Sequence, residues 1–137
     1  MAPTLISGDV IILDSSSNEI AREDLVVFNN PQEWHEIWLG PDNNRFIKRV
    51  SLVQGDKLTW DGRAWYRNGE EFSSLLDGSC KIPPMEYTLK RGELFVTGDR
   101  IGGATLDSRE TFCRGIKFTV DTGSVIKHGQ ISRIFRG

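Results

Sequence analysis

Short apolar runs, broken by glycine, aspartate or asparagine, dominate this chain. Val10-Ile11-Ile12-Leu13 follows Gly8-Asp9, Leu25-Val26-Val27-Phe28 follows Arg22-Glu23-Asp24, and Phe46 to Val53 forms a third run. Glu93-Leu94-Phe95-Val96-Thr97 stops at Gly98-Asp99, and Ile116 to Val120 and Gln130 to Phe135 close the chain. Brief runs rich in β-branched and aromatic residues, bounded by turn formers, read as strands. Lys57-Leu58-Thr59-Trp60 and Arg63-Ala64-Trp65-Tyr66-Arg67 flank Asp61-Gly62, which predicts a hairpin with a type I′ turn. Asn68-Gly69 offers a second such turn directly after it. In Pro31 to Leu39, the residues Trp34, Ile37 and Trp38 have the i, i+3, i+4 spacing of a short helix, and fit a loop equally well. The pattern predicts an all-β domain of coiled, partly barrel-like antiparallel sheets with little helix.

Composition narrows the picture. The 137 residues suit a single domain, 1–137, with a turn-rich segment at about 57–90. Hydrophobic residues at 38% and charged residues at 26% describe a globular chain with a core to bury. A formal net charge of −2 makes no electrostatic case for nucleic acid or an anionic membrane surface. No apolar run approaches the roughly 20 residues that span a bilayer, and no charged-then-apolar export signal opens the chain. Cys80 and Cys113 have neither CxxC spacing nor a matching pair of histidines, which argues against zinc. On the residues alone they read as two separate thiols. His35 and His128 lie far apart with no Ser or Asp motif beside them, and read as loop or surface histidines.

One position stands out on chemical grounds. On a strand, Phe46, Lys48 and Val50 point to one face, and Ile47, Arg49 and Ser51 to the other. Lys48 is then the one charge on an otherwise apolar face, while Arg49 turns away and stays solvated. An ordinary lysine has a pKa of about 10.4, so only about one in 2,500 is neutral at pH 7. Desolvation lowers that value. A drop of about three units costs about 4 kcal/mol, which the fold must supply. Without further information the better reading of Lys48 is a surface lysine in the basic stretch Arg45 to Arg49.

Three stretches supply that information when read together: Met1-Ala2-Pro3-Thr4-Leu5, Arg45-Phe46-Ile47-Lys48-Arg49-Val50, and Gly98-Asp99 with Thr105-Leu106-Asp107-Ser108-Arg109. Together they resemble the type I signal peptidases, membrane-bound serine peptidases with a Ser/Lys dyad. The likeness runs from Met1 to about Val50 and from about Gly92 to Phe135, and is weakest across the segment 57–90. The family pattern Ser-Met-x-Pro-Thr-Leu places the nucleophilic Ser immediately before Met1. Ser7 and Thr4 are not substitutes: two residues of a strand span about 6.6 Å, so Ser7 lies too far along, and Thr4 reads as packing.

The resemblance assigns roles residue by residue. Lys48 falls on the general base. Thr105 replaces a family Ser whose hydroxyl orients the lysine amine, and a Thr hydroxyl can accept the same hydrogen bond. Asp107 and Arg109 match a supporting ion pair. Met1, Leu5, Val27, Phe46 and Ile47 match residues that line shallow apolar pockets for small side chains such as Ala, with the peptide added as a strand. The chain also departs from the pattern. Leu52-Val53-Gln54-Gly55-Asp56 stands where the family has Gly-x-Pro-Gly-Asp, Glu23 stands in place of a Gly, and Ile101-Gly102-Gly103-Ala104 is one residue longer than usual. Those glycines do not read as a phosphate loop: no lysine follows at that spacing and no helix is predicted after them.

The activity so implied is hydrolysis of an exported precursor after a small residue, without metal or cofactor. The partner is an extended signal peptide, not a nucleic acid. An anchor upstream of the nucleophile would tie the domain to the outer face of a cytoplasmic membrane, or to an organelle inner membrane. In such an oxidising compartment Cys80 and Cys113 can pair. Two further readings stand beside this one. The altered Gly-x-Pro-Gly-Asp segment and the longer loop before Thr105 leave room for a conjugative-transfer or pilin-maturation peptidase of the same superfamily. If Met1 is the true start, the chain reads as a non-catalytic domain that binds extended peptides. A self-cleaving repressor-type peptidase would need a DNA-binding segment and an internal cleavage site, and neither is evident.

Overall fold

The computed structural model describes residues 10–15, 18–34, 45–74, 80–98 and 107–135. Their strands are β1 (Val10–Asp14), β2 (Leu25–Asn29), β3 (Arg45–Leu52), β4 (Lys57–Trp60), β5 (Ala64–Arg67), β6 (Glu70–Ser74), β7 (Met85–Thr88), β8 (Glu93–Thr97), β9 (Val120–Asp121) and β10 (Val125–Phe135). One short helix, α1 (Ser108–Cys113), lies between β8 and β9. The strands form two antiparallel sheets. A six-stranded sheet runs β1-β10-β2-β3-β8-β9, and a four-stranded sheet runs β6-β5-β4-β7. Neither closes into a barrel. The fold is all-β with little helix, and the segment 57–90 contains the whole second sheet.

The six-stranded sheet curves where β10 changes partner. Its first half pairs with β2 and its second half with β1. The change falls at Gly129, at φ 141°, where a Cβ would collide with the carbonyl of Asp14. Only glycine permits that approach.

Two apolar clusters sit on either side of β8. Leu94 and Val96 face one, with Val26, Phe28, Trp34, Val50 and Val120. Phe95 faces the other, with Leu52, Leu58, Trp60, Trp65, Leu89 and Phe112. Strand β3 feeds both because its register with β8 slips between Val50 and Leu52. Strict alternation would put these two residues on one face. The extra residue, Ser51, turns Leu52 to the opposite face, as a β-bulge does. Leu52, which replaces a family Gly, is therefore a fully buried core residue. The turn that follows keeps its Gly-Asp: Gly55 has φ 84°, and Asp56 Oδ2 accepts from the Val53 N–H at 2.9 Å.

Side chains also join the sheets. Tyr87 of β7 donates its hydroxyl to Glu93 of β8 at 2.7 Å. Burial, then that hydrogen bond to a carboxylate, push the phenol up to about 12. Cys80 and Cys113 form a disulfide with Cα atoms 4.9 Å apart. That corrects the reading of two separate thiols, which had no means of seeing that α1 ends beside the second sheet.

Several sequence expectations change in detail. Asn68 and Gly69 both have positive φ, 51° and 88°, as a type I′ turn requires. At the other turn only Gly62 does, at φ 101°. Asp61 sits one place earlier and caps the turn, its Oδ1 accepting from the N–H groups of Arg63 and Ala64 at 2.8 Å each. Ile116 to Val120 does not form a strand; only Val120–Asp121 pairs with β8. The preceding residues are held otherwise, with Phe118 packed on Phe112 and Tyr87, and the Lys117 carbonyl accepting from Trp34 Nε1 at 2.9 Å. A 3-10 turn, Gln32–Trp34, occupies the start of the proposed helix, and 35–44 lies outside the described residues.

The disulfide gives the first prediction. It spans a sequence separation of 33, and closing a loop of that size stabilises by about 3–4 kcal/mol in the chain-entropy account. Cys80→Ser with Cys113→Ser should lower the urea midpoint and steepen the transition, because the unfolded chain freed of the cross-link exposes more surface.

Candidate active site

Strand β3 carries the central residue. Lys48 shares a pleat face with Phe46 and Val50, and only 8% of it is exposed. Its ladder neighbour on β2 is Val26, which is fully buried. Phe46 packs on Phe28 and Trp34, with ring centroids 5.8 and 6.0 Å apart. Lys48 Nζ lies 6.0 Å from the centroid of the Phe46 ring, at the outer limit for a cation–π contact. Arg49 turns to the other face, where Nη1 donates to the Glu23 carbonyl at 3.0 Å.

The loop behind β8 meets this region through Gly98. The ladder between β3 and β8 begins at Arg49 and Thr97, the residues directly next to Lys48 and Gly98 in the chain. Gly98 gives its backbone to α1 instead. Its N–H donates to Asp107 Oδ2 at 2.9 Å, and its carbonyl accepts from Arg109 Nη2 at 3.3 Å. Asp107 and Arg109 are themselves paired, Nη2 to Oδ2 at 2.6 Å, with the Asp side chain 1% and the Arg side chain 11% exposed. The pair is thus a clamp on the strand end beside Lys48.

Local sequence explains the clamp. Asp107 is the N-cap of α1, in extended conformation, and its carboxylate accepts from the Arg109 and Glu110 N–H groups. A cap residue followed three places later by Glu is a helix-start signature. Asp107-Ser108-Arg109-Glu110 carries it, so a helix does follow the glycines, contrary to the sequence expectation. Ser108 was also missed. It is fully buried, and its Oγ accepts the Val96 N–H at 2.9 Å, stitching α1 to β8.

The proposed site residues do not all gather here. Lys48 and Phe46 share one face of the sheet. Val27 and Ile47 are paired across β2 and β3 and lie on the opposite face. Met1, Leu5 and Thr105 lie outside the described residues, as does His35. His128 is not isolated. Its Nδ1 lies 3.4 Å from Asp24 Oδ2 and 3.4 Å from Ser15 Oγ. Both partners meet the same ring nitrogen, whereas a Ser-His-Asp triad uses the two nitrogens separately. The cluster therefore joins β10 to the turn before β2 and is not a triad.

Comparison with known proteins places the chain as a whole in a family. The family model described as signal peptidase, peptidase S26, matches residues 1–131. The chain belongs to this signal peptidase family. The crystal structure of a signal peptidase I from Enterococcus faecalis V583 is similar at 20% sequence identity, with a TM-score of 0.50, over 81% of this chain and 97% of that one. At that identity the likeness is one of fold. No curated protein matches the chain.

The clamp is also costly to break. Removing one partner of a buried ion pair costs about 3–5 kcal/mol, because the other charge stays behind. Asp107→Ala should therefore destabilise the protein by about that amount. Asp107→Asn, which keeps an oxygen for the cap, should cost less. Urea unfolding of both variants checks the order.

Proposed function

We propose that this chain is the peptidase domain of a signal peptidase I-like enzyme that cuts signal peptides from exported precursors with a Ser/Lys dyad. The observation that carries the reading is Lys48, a lysine 8% exposed on an apolar strand face, with the Asp107–Arg109 clamp at the adjoining strand end. The motif assigns the nucleophile to the position directly ahead of Met1, so the mechanism concerns the chain carrying that serine. Its Oγ attacks the scissile carbonyl while the neutral Lys48 amine takes the hydroxyl proton. The ammonium then returns the proton to the leaving amine, and an ester joins serine to the signal peptide. Lys48 next deprotonates a water, which cleaves the ester and restores the serine. Thr105 orients the amine, and Asp107 with Arg109 holds the loop that carries it.

In this proposal the peptide adds as a strand beside Arg45–Ile47. On one side of Arg45–Ile47 runs β2. On the other, β8 has ended, and among the described residues no strand takes its place. An extended peptide added there meets Phe46 and Ile47, with Met1, Leu5 and Val27 completing the apolar pockets for small side chains. The Cys80–Cys113 disulfide fits an oxidising compartment, as on the outer face of a cytoplasmic membrane. No helix among the described residues is long and apolar enough to cross a membrane, and the anchor of this proposal lies upstream of the serine. The replacement of the family Gly and Pro by Leu52 and Gln54, with the longer loop before Thr105, leaves room for a conjugative-transfer or pilin-maturation peptidase as the second reading.

The test is cleavage of a precursor peptide with Ala at alternate positions before the cut, by the chain extended with serine ahead of Met1. The proposal expects turnover, and a loss of about 10²–10⁴-fold in Lys48→Ala, the usual worth of a positioned base. Equal turnover by Lys48→Ala would remove the dyad. Binding of the peptide without turnover would make this a peptide-binding domain.

A further inference from the structure

The second sheet reaches the clamp through one side chain. Arg109 Nη1 donates to the Oγ of Ser73, on β6, at 3.0 Å. The guanidinium is then held in three directions: Nε and Nη2 on Asp107, Nη2 on the Gly98 carbonyl, and Nη1 on Ser73. A planar fork with three fixed acceptors has little freedom to rotate.

Ser73 reaches Arg109 because β6 is irregular. Its register with β5 slips, Tyr66 pairing with Glu71 but Trp65 with Ser73, so Phe72 is an extra residue. Alternation alone would send Phe72 and Ser73 to opposite faces. The bulge sends both inward. Phe72 meets Phe95 of β8 edge to face at 5.8 Å, and Ser73 lies on the face of Trp65, its buried ladder partner. Bulges of this kind re-aim side chains. The far end of α1 is fixed to the same sheet independently. Phe112 packs against Trp60 and Trp65, and Cys113, the last residue of α1, is bonded to Cys80.

We propose that Ser73 is a positioning residue: its hydroxyl holds the Arg109 guanidinium, and through it Gly98 and the strand end beside Lys48, so that the second sheet sets the geometry of the peptidase site. No motif reading would find it, because it lies in the segment least like the family pattern and acts only through the Phe72 bulge. The catalytic half of the inference rests on the reading of Lys48 as general base.

The test compares Ser73→Thr with Ser73→Val, which have the same shape and differ in the hydroxyl. In the chain as it stands, amide hydrogen exchange at Gly98 reads the clamp without any assumption about activity. Ser73→Val should speed exchange at Gly98 about tenfold, while Ser73→Thr matches the parent. In the chain extended with the serine, Ser73→Val should lower kcat about tenfold with KM unchanged, the worth of one hydrogen bond to a charged group. Ser73→Thr should restore it. If Thr and Val behave alike at Gly98, the inference fails whatever the activity. If Gly98 responds but kcat does not, Ser73 braces the loop without positioning the base, and the inference is again overturned. If the parent shows no Lys48-dependent turnover, the proposed function fails, and the exchange experiment still decides whether Ser73 holds the clamp.

Discussion

Lys48 is buried on the inner face of a sheet, and the neighbouring elements fix the stretch of strand that carries it. Lys48 sits between Phe46 and Val50 on β3 and beside Val26 on β2. Burial of this kind is what the proposed dyad asks of a lysine base, since desolvation disfavours a charged amine. A position of this kind is useful only if the strand around it does not shift. Two features meet that need. The Asp107–Arg109 pair takes both backbone groups of Gly98 at the end of β8, and the buried hydroxyl of Ser108 takes the N–H of Val96.

The second constraint is that one strand serves two cores. Without the slip at Ser51, β3 would direct Leu52 to the same face as Lys48, and the second sheet would lose a fully buried contact. With it, the sheets share Leu52 and Phe95, and α1 lies against the second sheet with Phe112 between Trp60 and Trp65. The helix that supplies the clamp is thus supported from the sheet that carries none of the family motif.

Much of this was legible in the residues. The runs at Val10, Leu25, Phe46 and Glu93 became β1, β2, β3 and β8 because each is a β-branched or aromatic stretch with turn formers at its end. The alternation around Lys48 showed which way it points, since a pleat leaves no other choice. What escaped were features set by exceptions to alternation or by tertiary contact. The bulges at Ser51 and Phe72 leave no mark in composition. Ile116 to Thr119 has strand-like residues, yet its backbone is captured by Trp34 and its aromatic by α1. The helix α1, with only six residues, is too short for a periodic signal, and its one local sign was the Asp107 to Glu110 spacing. Of the candidate site, Lys48, Asp107 and Arg109 came from the family resemblance, whereas Ser73 and Ser108 are visible only once the sheets are placed.

The central claim is the proposal that Lys48 is the general base of a Ser/Lys dyad, which requires an amine that gives up its proton readily. The direct measurement is an NMR titration of the chain with isotope-labelled lysine ε-groups, the Lys48 signal being assigned by its loss in Lys48→Ala. The account predicts that Lys48 releases its proton well below the ordinary lysine value of about 10.4, with the exposed lysines remaining near it. If Lys48 titrates together with them, the sheet is not tuning a base, and the account is contradicted at its centre.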